Sequence, residues 1–463
     1  MPDTRNPIAP TDGMSITQDT CLLPGTYYLP NGIRIAADNV TLDGAGATIL
    51  GAGQQNVGVA IEGHANVTVK NVKLASYYHG IRAVDCPGLT LEGNTVRDTQ
   101  EVEHDTIFLE IWLEPDVSYG GAIFLWRCDD AKILGNDVQH QMNGLLLYYC
   151  NRLVVRKNVA SYNSGYGIHA FNTSDSVFEY NWADYCCRFQ PRGNKIDESD
   201  PEKQDFRYGH MGGDATGFVI VKNCCRNVFR RNLARMGGDG FFLAGRSPHD
   251  GDVNCKDNLF EENDASLSPN IAFEATFSSG NVFRNNYADR CNYGFWLGFS
   301  WDNVIEGNRM VMNRQAGIAV ENGYGFQVRG NNFQANGHGI LLWTHHVPEF
   351  AEEYPENYTS HDWTIEENTF TRNGKGIRIA KDQDHGIRPV PEDKRGPAES
   401  RPHSHAIRKN DIQDNRIGVE LINADRTIIE GNIVHRNVES NFRFEDDSET
   451  RAINNLGSAG GYL

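Results

Sequence analysis

The chain has 463 residues, with 43 Lys and Arg against 61 Asp and Glu and a net charge of −18. That acidic balance argues against a nucleic-acid partner, which needs a basic face to meet phosphates. No apolar run reaches the roughly eighteen residues of a membrane-spanning helix, and the start, MPDTRNPIAPTDG, lacks a charged-then-apolar leader, so the sequence as written predicts a soluble, cytoplasmic protein without a membrane partner, or a secreted one if a leader was trimmed.

After a polar segment read as an N-terminal cap (residues 1–31), the stretch LPGTYYLPNGIRIAADNVTLDGAGATILG introduces the first coil. One phrase then recurs: a glycine opening a short alternating run, a polar turn, and an apolar residue three before an asparagine. It is plainest between Gly294 and His346, in GFWLGFSWDNVIEGN, AGIAVENGYGFQVRGN and GHGILLWTHH. The closing asparagines are Asn71, Asn94, Asn136, Asn158, Asn181, Asn232, Asn263, Asn286, Asn308, Asn331, Asn368, Asn410, Asn432 and Asn454. Where nothing is inserted the interval is about 22 residues, and such a period marks units that must stack to bury their apolar face. The runs GIRA, GLLL, GIHA, GFVI, GFFL, GFWL, GIAV, GILL, GIRI and GVEL are too short for helices and read as strands. Asparagine at the bend suits a left-handed backbone and an amide that bonds to its counterpart one coil away.

This grammar resembles the right-handed parallel β-helix repeats of the pectate-lyase-like superfamily, from Gly32 to Asn454. The resemblance implies an all-β, single-domain solenoid of about fifteen coils (residues 32–455) with a short tail at 456–463. It also implies a carbohydrate-related role, divided among lyases, glycosidases, epimerases, phage tailspikes and carbohydrate-binding proteins; fold alone chooses none of these.

Ten cysteines fit the repeat better than a disulfide framework. Cys86, Cys128, Cys150 and Cys224 recur after repeat glycines, which predicts a ladder of buried thiols. Cys186, Cys187 and Cys225 include two adjacent pairs, but no C-x-x-C supports zinc or redox work.

Five excursions break the period, at about 99–119, 187–211, 247–255, 344–362 and 382–405. Long loops in a solenoid serve as walls or lids, and these flank one sheet, which is therefore expected to be a groove floor. Alternation puts Leu146 and Tyr148, His169 and Phe171, Val219 and Val221, Phe242 and Ala244, Ala272 and Glu274, Trp296 and Gly298, Ala319 and Glu321, and Leu341 and Trp343 on its outward face. Just beyond the strands come Asn172, Lys222, Arg246, Thr276, Asn322 and His345. Aromatic platforms at Tyr148, Phe171, Phe242, Trp296 and Trp343 suit sugar faces, unless the inserts or another subunit cover them.

Glu274 and Glu321 are expected in one outward column two coils apart, with backbones roughly 9–10 Å apart. Rotamers would then bring the carboxyl groups to about 6.5–9.5 Å, the separation for inverting glycoside hydrolysis. Trp296 between them would raise a carboxyl pKa toward that of a general acid, and Gly298 would leave room for a ring. Asp214 and Asp239 precede strands at glycine-rich bends, as turn caps or groove-edge carboxylates. RSPHDGD resembles the Asp-Pro-His-Asp motif of alginate C5-epimerases at Pro248, His249 and Asp250, with Ser247 in place of the first aspartate. Imidazoles gather in the last two inserts (His345, His346, His361, His385, His403, His405) beside Asp362, Asp382 and Asp384, without a spacing that calls for a metal; no cofactor or metal is expected. The sequon Asn357, Tyr358, Thr359 matters only in a secreted chain.

Three functions follow. A glycoside hydrolase would use Glu274 and Glu321 as acid and base, with Tyr148, His169, Phe171, Lys222, Asp239, Phe242, Arg246, Trp296, Asn322, Trp343 and His345 contacting the sugar. A polysaccharide lyase or uronate C5-epimerase would draw base and charge neutralisation from Lys222, Arg246 and His249. A non-catalytic binding or assembly protein would turn the aromatic face to a partner, with a homotrimer as one arrangement.

Overall fold

The computed structural model describes residues 6–103, 106, 108–190, 210–212, 215–381, 383–384, 388–389, 396–397 and 399–457. It falls into two compact units, residues 1–242 and 243–463. Each is a stack of parallel-strand coils.

In the first unit the strands Val57–Glu62, His79–Val84, Gly121–Trp126, Leu145–Tyr148, Ile168–Phe171 and Phe218–Val221 pair in parallel, each with the next. The stack already includes Met14–Ile16, paired with Ile33–Ile35, inside the segment read as a cap. A second sheet runs through Thr68–Lys70, Thr90–Glu92, Lys132–Leu134, Val154–Arg156, Val177–Glu179 and Val228–Arg230. In the second unit the corresponding outward-facing sheet contains Ile271–Thr276, Tyr293–Trp296, Ala316–Glu321, His338–Trp343, Lys375–Ala380, Ile417–Ile422 and Ser440–Glu445. Inside each stack like residues lie on like: Phe178 on Phe229 at 4.7 Å, Phe273 on Phe295 at 5.0 Å, Phe333 on Phe370 at 4.6 Å. The opening glycines are needed for this close stacking, since a Cβ on Gly294 would come within 2.6 Å of the Gly317 carbonyl oxygen.

The asparagine ladder is present, with two corrections of register. Each Asn Oδ1 accepts from both the backbone N–H and the Nδ2 of the preceding ladder member: Asn94 to Asn136, Asn158, Asn181 and Asn232 in the first unit, and Asn263 to Asn286, Asn308, Asn331, Asn368, Asn410 and Asn432 in the second. The last rung is Asn455, not Asn454. Asn71 is not a rung either; the Val72 backbone N–H donates to Asn94 Oδ1 in its place. The left-handed backbone belongs to the residue before each rung, such as Gly93, Lys157, Tyr180, Glu262 and Gly307, leaving the asparagine to bond inward. A second asparagine ladder, Asn313 to Asn336, Asn373, Asn415 and Asn437, closes the next corner of the second unit.

The thiol ladder also forms. Cys128 N–H donates to Cys150 Sγ at 3.3 Å, and Thr173 N–H to Cys224 Sγ at 3.3 Å, with Thr173 filling the rung between. All ten cysteines are free thiols and all but Cys187 are buried; hydrogen bonding along the ladder and burial push Cys86 and Cys128 well above the usual thiol pKa.

Candidate functional site

Alternation puts the expected side chains outward, but outward is not exposed. In the first unit Tyr148, His169 and Phe171 are 2%, 1% and 0% accessible, and Phe242 and Asp239 are also buried. The stretch 108–119 of the first insert reaches His169: Leu109 and Ile111 are buried in it, and the Ile111 carbonyl oxygen meets His169 Nε2 at 3.2 Å. Burial holds His169 down to about 4, so it is neutral. The expected sugar platform is therefore a roofed aromatic layer, covered by the chain's own insert rather than by a second subunit.

The same insert takes the cation. Glu114 receives the Lys222 ammonium on one oxygen and the Tyr149 hydroxyl on the other at 2.7 Å, while Lys222 sits 5.0 Å from the centre of the Phe171 ring. Asp239 acts as a backbone acceptor for Gly217 N–H at 3.2 Å and for the Thr216 hydroxyl; Asp214 lies outside the described residues.

In the second unit the register overturns the carboxylate column. Glu274 pairs with Trp296 and Trp296 with Ala319, whereas Glu321 pairs with Trp343. The coil S-P-N-I-A-F-E-A-T has no opening glycine. Ala272, between the pairs Ile271–Tyr293 and Phe273–Phe295, stands where Gly294 does, and counting from Asn270 misplaces the strand by two residues. Glu274 and Glu321 thus occupy neighbouring outward columns of one sheet, and an offset of two residues and two strands puts their backbones about 12 Å apart.

Glu321 has a fixed partner. Its Oε2 lies 2.8 Å from His345 Nδ1, with the two side chains 16% and 26% accessible. The carboxylate leans over Gly298, whose missing side chain makes the space: a Cβ there would stand 3.2 Å from Glu321 Oε1 and 3.4 Å from Trp296 Nε1. His345 is in turn braced by Asn322, which donates Nδ2 to the His345 carbonyl and accepts its N–H, both at 2.7 Å. Asn357 Nδ2 donates to the Asn322 carbonyl at 2.7 Å. Asn322 is 2% accessible, and its side chain is used in holding the His345 backbone. Trp296 is half-buried against Tyr293, Leu341 and Trp343, the last at 5.4 Å edge to face, and Glu274 beside it is half-buried. Trp343 is 1% accessible and serves as packing.

Arg246 is also committed elsewhere. It bonds Glu353 at 2.7 Å and Glu349 at 2.5 Å on the helix Pro348–Glu353 and lies over Phe350 at 4.8 Å, anchoring the helix that packs Phe350 and Tyr354 against Phe277 and Phe299. Pro248, His249 and Asp250 form the exposed tip of a hairpin between Arg246–Ser247 and Gly251–Asp252, with Ser247 capping the turn. His361 and His403 stack at 5.1 Å in a corner column with Tyr324. His361 meets Asp362 and the Glu356 carbonyl, and His403 meets Tyr358. His405 is buried, and His385 and Asp382 lie outside the described residues.

Glu114 and Tyr149 were not foreseen. Tyr149 had a signal, since it shares the left-handed position just after the strand with Asn172 and Lys222. Glu114 had none, because an insert carries no period to count by.

The sequence matches the family described as "Right handed beta helix region" over residues 31–269 and 214–352. The chain belongs to the right-handed β-helix family. Residues 357–456 also match a model described as "Periplasmic copper-binding protein (NosD)". Among the described residues no group of three or more His, Cys, Asp or Glu could hold a metal ion; His361 and His403 in that region stack on each other and bond to Asp362 and Tyr358. No curated protein matches. Solved structures similar to this β-helix include the A-module of an Azotobacter vinelandii mannuronan C-5 epimerase (14% identity, 96% of this chain and 92% of that one, TM-score 0.42). Others are a periplasmic alginate epimerase (11%, 93% and 79%, 0.40) and a PL6 alginate lyase in complex with a trisaccharide (15%, 94% and 81%, 0.41). No helix among the described residues is long and apolar enough to cross a membrane.

Proposed function

We propose that this β-helix protein is a polysaccharide-modifying enzyme whose proton-transfer centre is the Glu321–His345 pair. The observation that carries the reading is the 2.8 Å contact between Glu321 Oε2 and His345 Nδ1 beside the half-buried Trp296. A carboxylate on Nδ1 fixes the tautomer and the orientation of the ring, and the accepting lone pair is then on Nε2. Such a base takes the proton from C5 of a uronate, the carbon acidified by its carboxyl group. The electron pair left behind either expels the C4 oxygen, which departs with a proton and leaves a C4–C5 double bond, or recaptures a proton from the opposite face to invert C5.

Hydrolysis is the second reading, favoured by the lean of Glu321 over Gly298 toward the coil next to Glu274. There Glu321 would activate water for attack at C1 while Glu274 protonates the leaving oxygen. The dyad supports the first reading more strongly, because a carboxylate already given to an imidazole is an orienting group rather than one of two opposed acids. Incubation with acidic and neutral glycans separates the two: elimination gives an ultraviolet-absorbing product, epimerisation a changed C5 signal by NMR, hydrolysis new reducing ends without absorbance. A polysaccharide substrate and the periplasmic description matched by residues 357–456 both favour an extracytoplasmic setting over the cytoplasm.

A further inference from the structure

The first unit carries a second polar centre that the Glu321–His345 reading does not use. Glu114, in the stretch 108–119, offers its two oxygens to two donors two coils apart in the stack, the Lys222 ammonium and the Tyr149 hydroxyl, with the coil of Phe171 between them. Both donors occupy the left-handed position just after an outward strand, with φ of 52° at Tyr149 and 59° at Lys222, so the repeat itself aims them at one point. Beneath that point is a ring face: Phe171, with Lys222 5.0 Å from its centre and Tyr149 edge-on at 5.5 Å. Tyr148 and His169 continue the layer at 5.2 Å and 5.9 Å from Phe171. Burial and the bond to Glu114 push the Tyr149 hydroxyl up to about 12, so it keeps its proton and donates.

A cation and a hydroxyl converging on one two-oxygen anion, above a patch of aromatic rings, is the recognition chemistry of a carboxylate carried on an apolar-faced ring. The chain's own Glu114 fills that position. Lys222 is 14% accessible and therefore sheltered, whereas the Glu114 side chain is 42% accessible and reaches the position from solvent. Its strand-side partners are fixed by the ladder, while Glu114 belongs to a segment outside it, ending in the short turn Pro115–Val117.

We infer that Lys222 and Tyr149 form a carboxylate subsite for an acidic sugar, occupied in the closed protein by Glu114, and that the stretch 108–119 is the lid an acidic glycan displaces. The inference is independent of the chemistry assigned to Glu321 and His345. A ligand that must displace an internal competitor binds more weakly by the fraction of molecules in which the lid is open, so removing the competitor's charge raises affinity. Trp112, half-buried in the same stretch, reports the displacement.

The test is calorimetric titration of the whole chain with tetragalacturonate and with a neutral galactose tetramer. Glu114→Gln is expected to tighten tetragalacturonate binding about tenfold and leave the neutral tetramer unchanged, and Lys222→Met added to it is expected to abolish the gain. In the wild-type chain, tetragalacturonate is expected to raise acrylamide quenching of the fluorescence component that Trp112→Phe removes. This readout needs no charge variant to fold. Equal affinity in wild type and Glu114→Gln overturns the subsite, as does equal gain for the neutral tetramer. A Trp112 signal unmoved at saturation overturns the lid, and a matching gain for a glutamate-rich peptide but not for the tetragalacturonate overturns the sugar.

Discussion

The two units use one repeat to opposite ends. In the first, the outward columns bear Tyr148, His169 and Phe171, all three buried, with the insert's Ile111 carbonyl on His169 and its Glu114 on the Lys222 that lies over Phe171. In the second, the outward columns keep Glu274, Trp296 and Glu321 partly open, and the insert at 344–362 adds His345 at their edge while its helix packs to the side on Phe277 and Phe299. The stacked coils determine which residues point out; the inserts determine which of those meet solvent. A side chain's role is therefore read from what lies over it.

The comparison can be broken first at the dyad. Glu321→Gln and His345→Gln are each expected to lower turnover by about 10²–10⁴-fold, the usual weight of a positioned acid or base, with unfolding midpoints unchanged. Glu114→Gln is expected to act in the opposite direction, lowering KM on an acidic glycan. Steady-state rates on the first active glycan check both.

Packing separates the units next. Phe171→Ala removes a fully buried ring and is expected to cost about 3–5 kcal/mol by urea unfolding. Trp296→Ala, on the half-open face, is expected to cost less in stability and to weaken glycan binding more. Equal stability losses would mean that Trp296 is simply core.

The asparagine ladder should not distinguish the units. Asn158→Ala in the first and Asn308→Ala in the second each leave buried donors unpaired, and each is expected to cost about 2–3 kcal/mol. A loss in only one unit would show that the ladder carries weight in that unit alone.

The smallest expected effect is acidic. His169 has its pKa lowered by burial to about 4, so the unfolded chain binds its proton first as pH falls. Its contribution is present above the ordinary histidine value of about 6.5 and is lost as pH drops from there through about 4. His169→Gln is expected to flatten that part of the stability profile, measured by thermal unfolding against pH.

Much of this was legible from the repeat. The strands, the free stacked thiols and most rungs of the asparagine ladder follow from the period, because in-register stacking makes one coil's environment that of the next. The period failed where a coil breaks its own rule. The coil around Glu274 has no opening glycine and lies two residues from where the period places it, so Glu274 and Glu321 share no column. Exposure was not legible, since the burial of Tyr148 and Phe171 depends on an insert with no period. Commitment of cations was equally hidden: Lys222 and Arg246 each sit at a repeat position, but Glu114, Glu349 and Glu353 come from the excursions.

Whether the Glu321–His345 pair transfers a proton on a glycan is decided by product formation from a panel of acidic and neutral polysaccharides with wild type, Glu321→Gln and His345→Gln. Wild type is expected to convert at least one polymer, and both variants to bind that polymer while failing to convert it. Conversion by either variant at the wild-type rate would contradict that role.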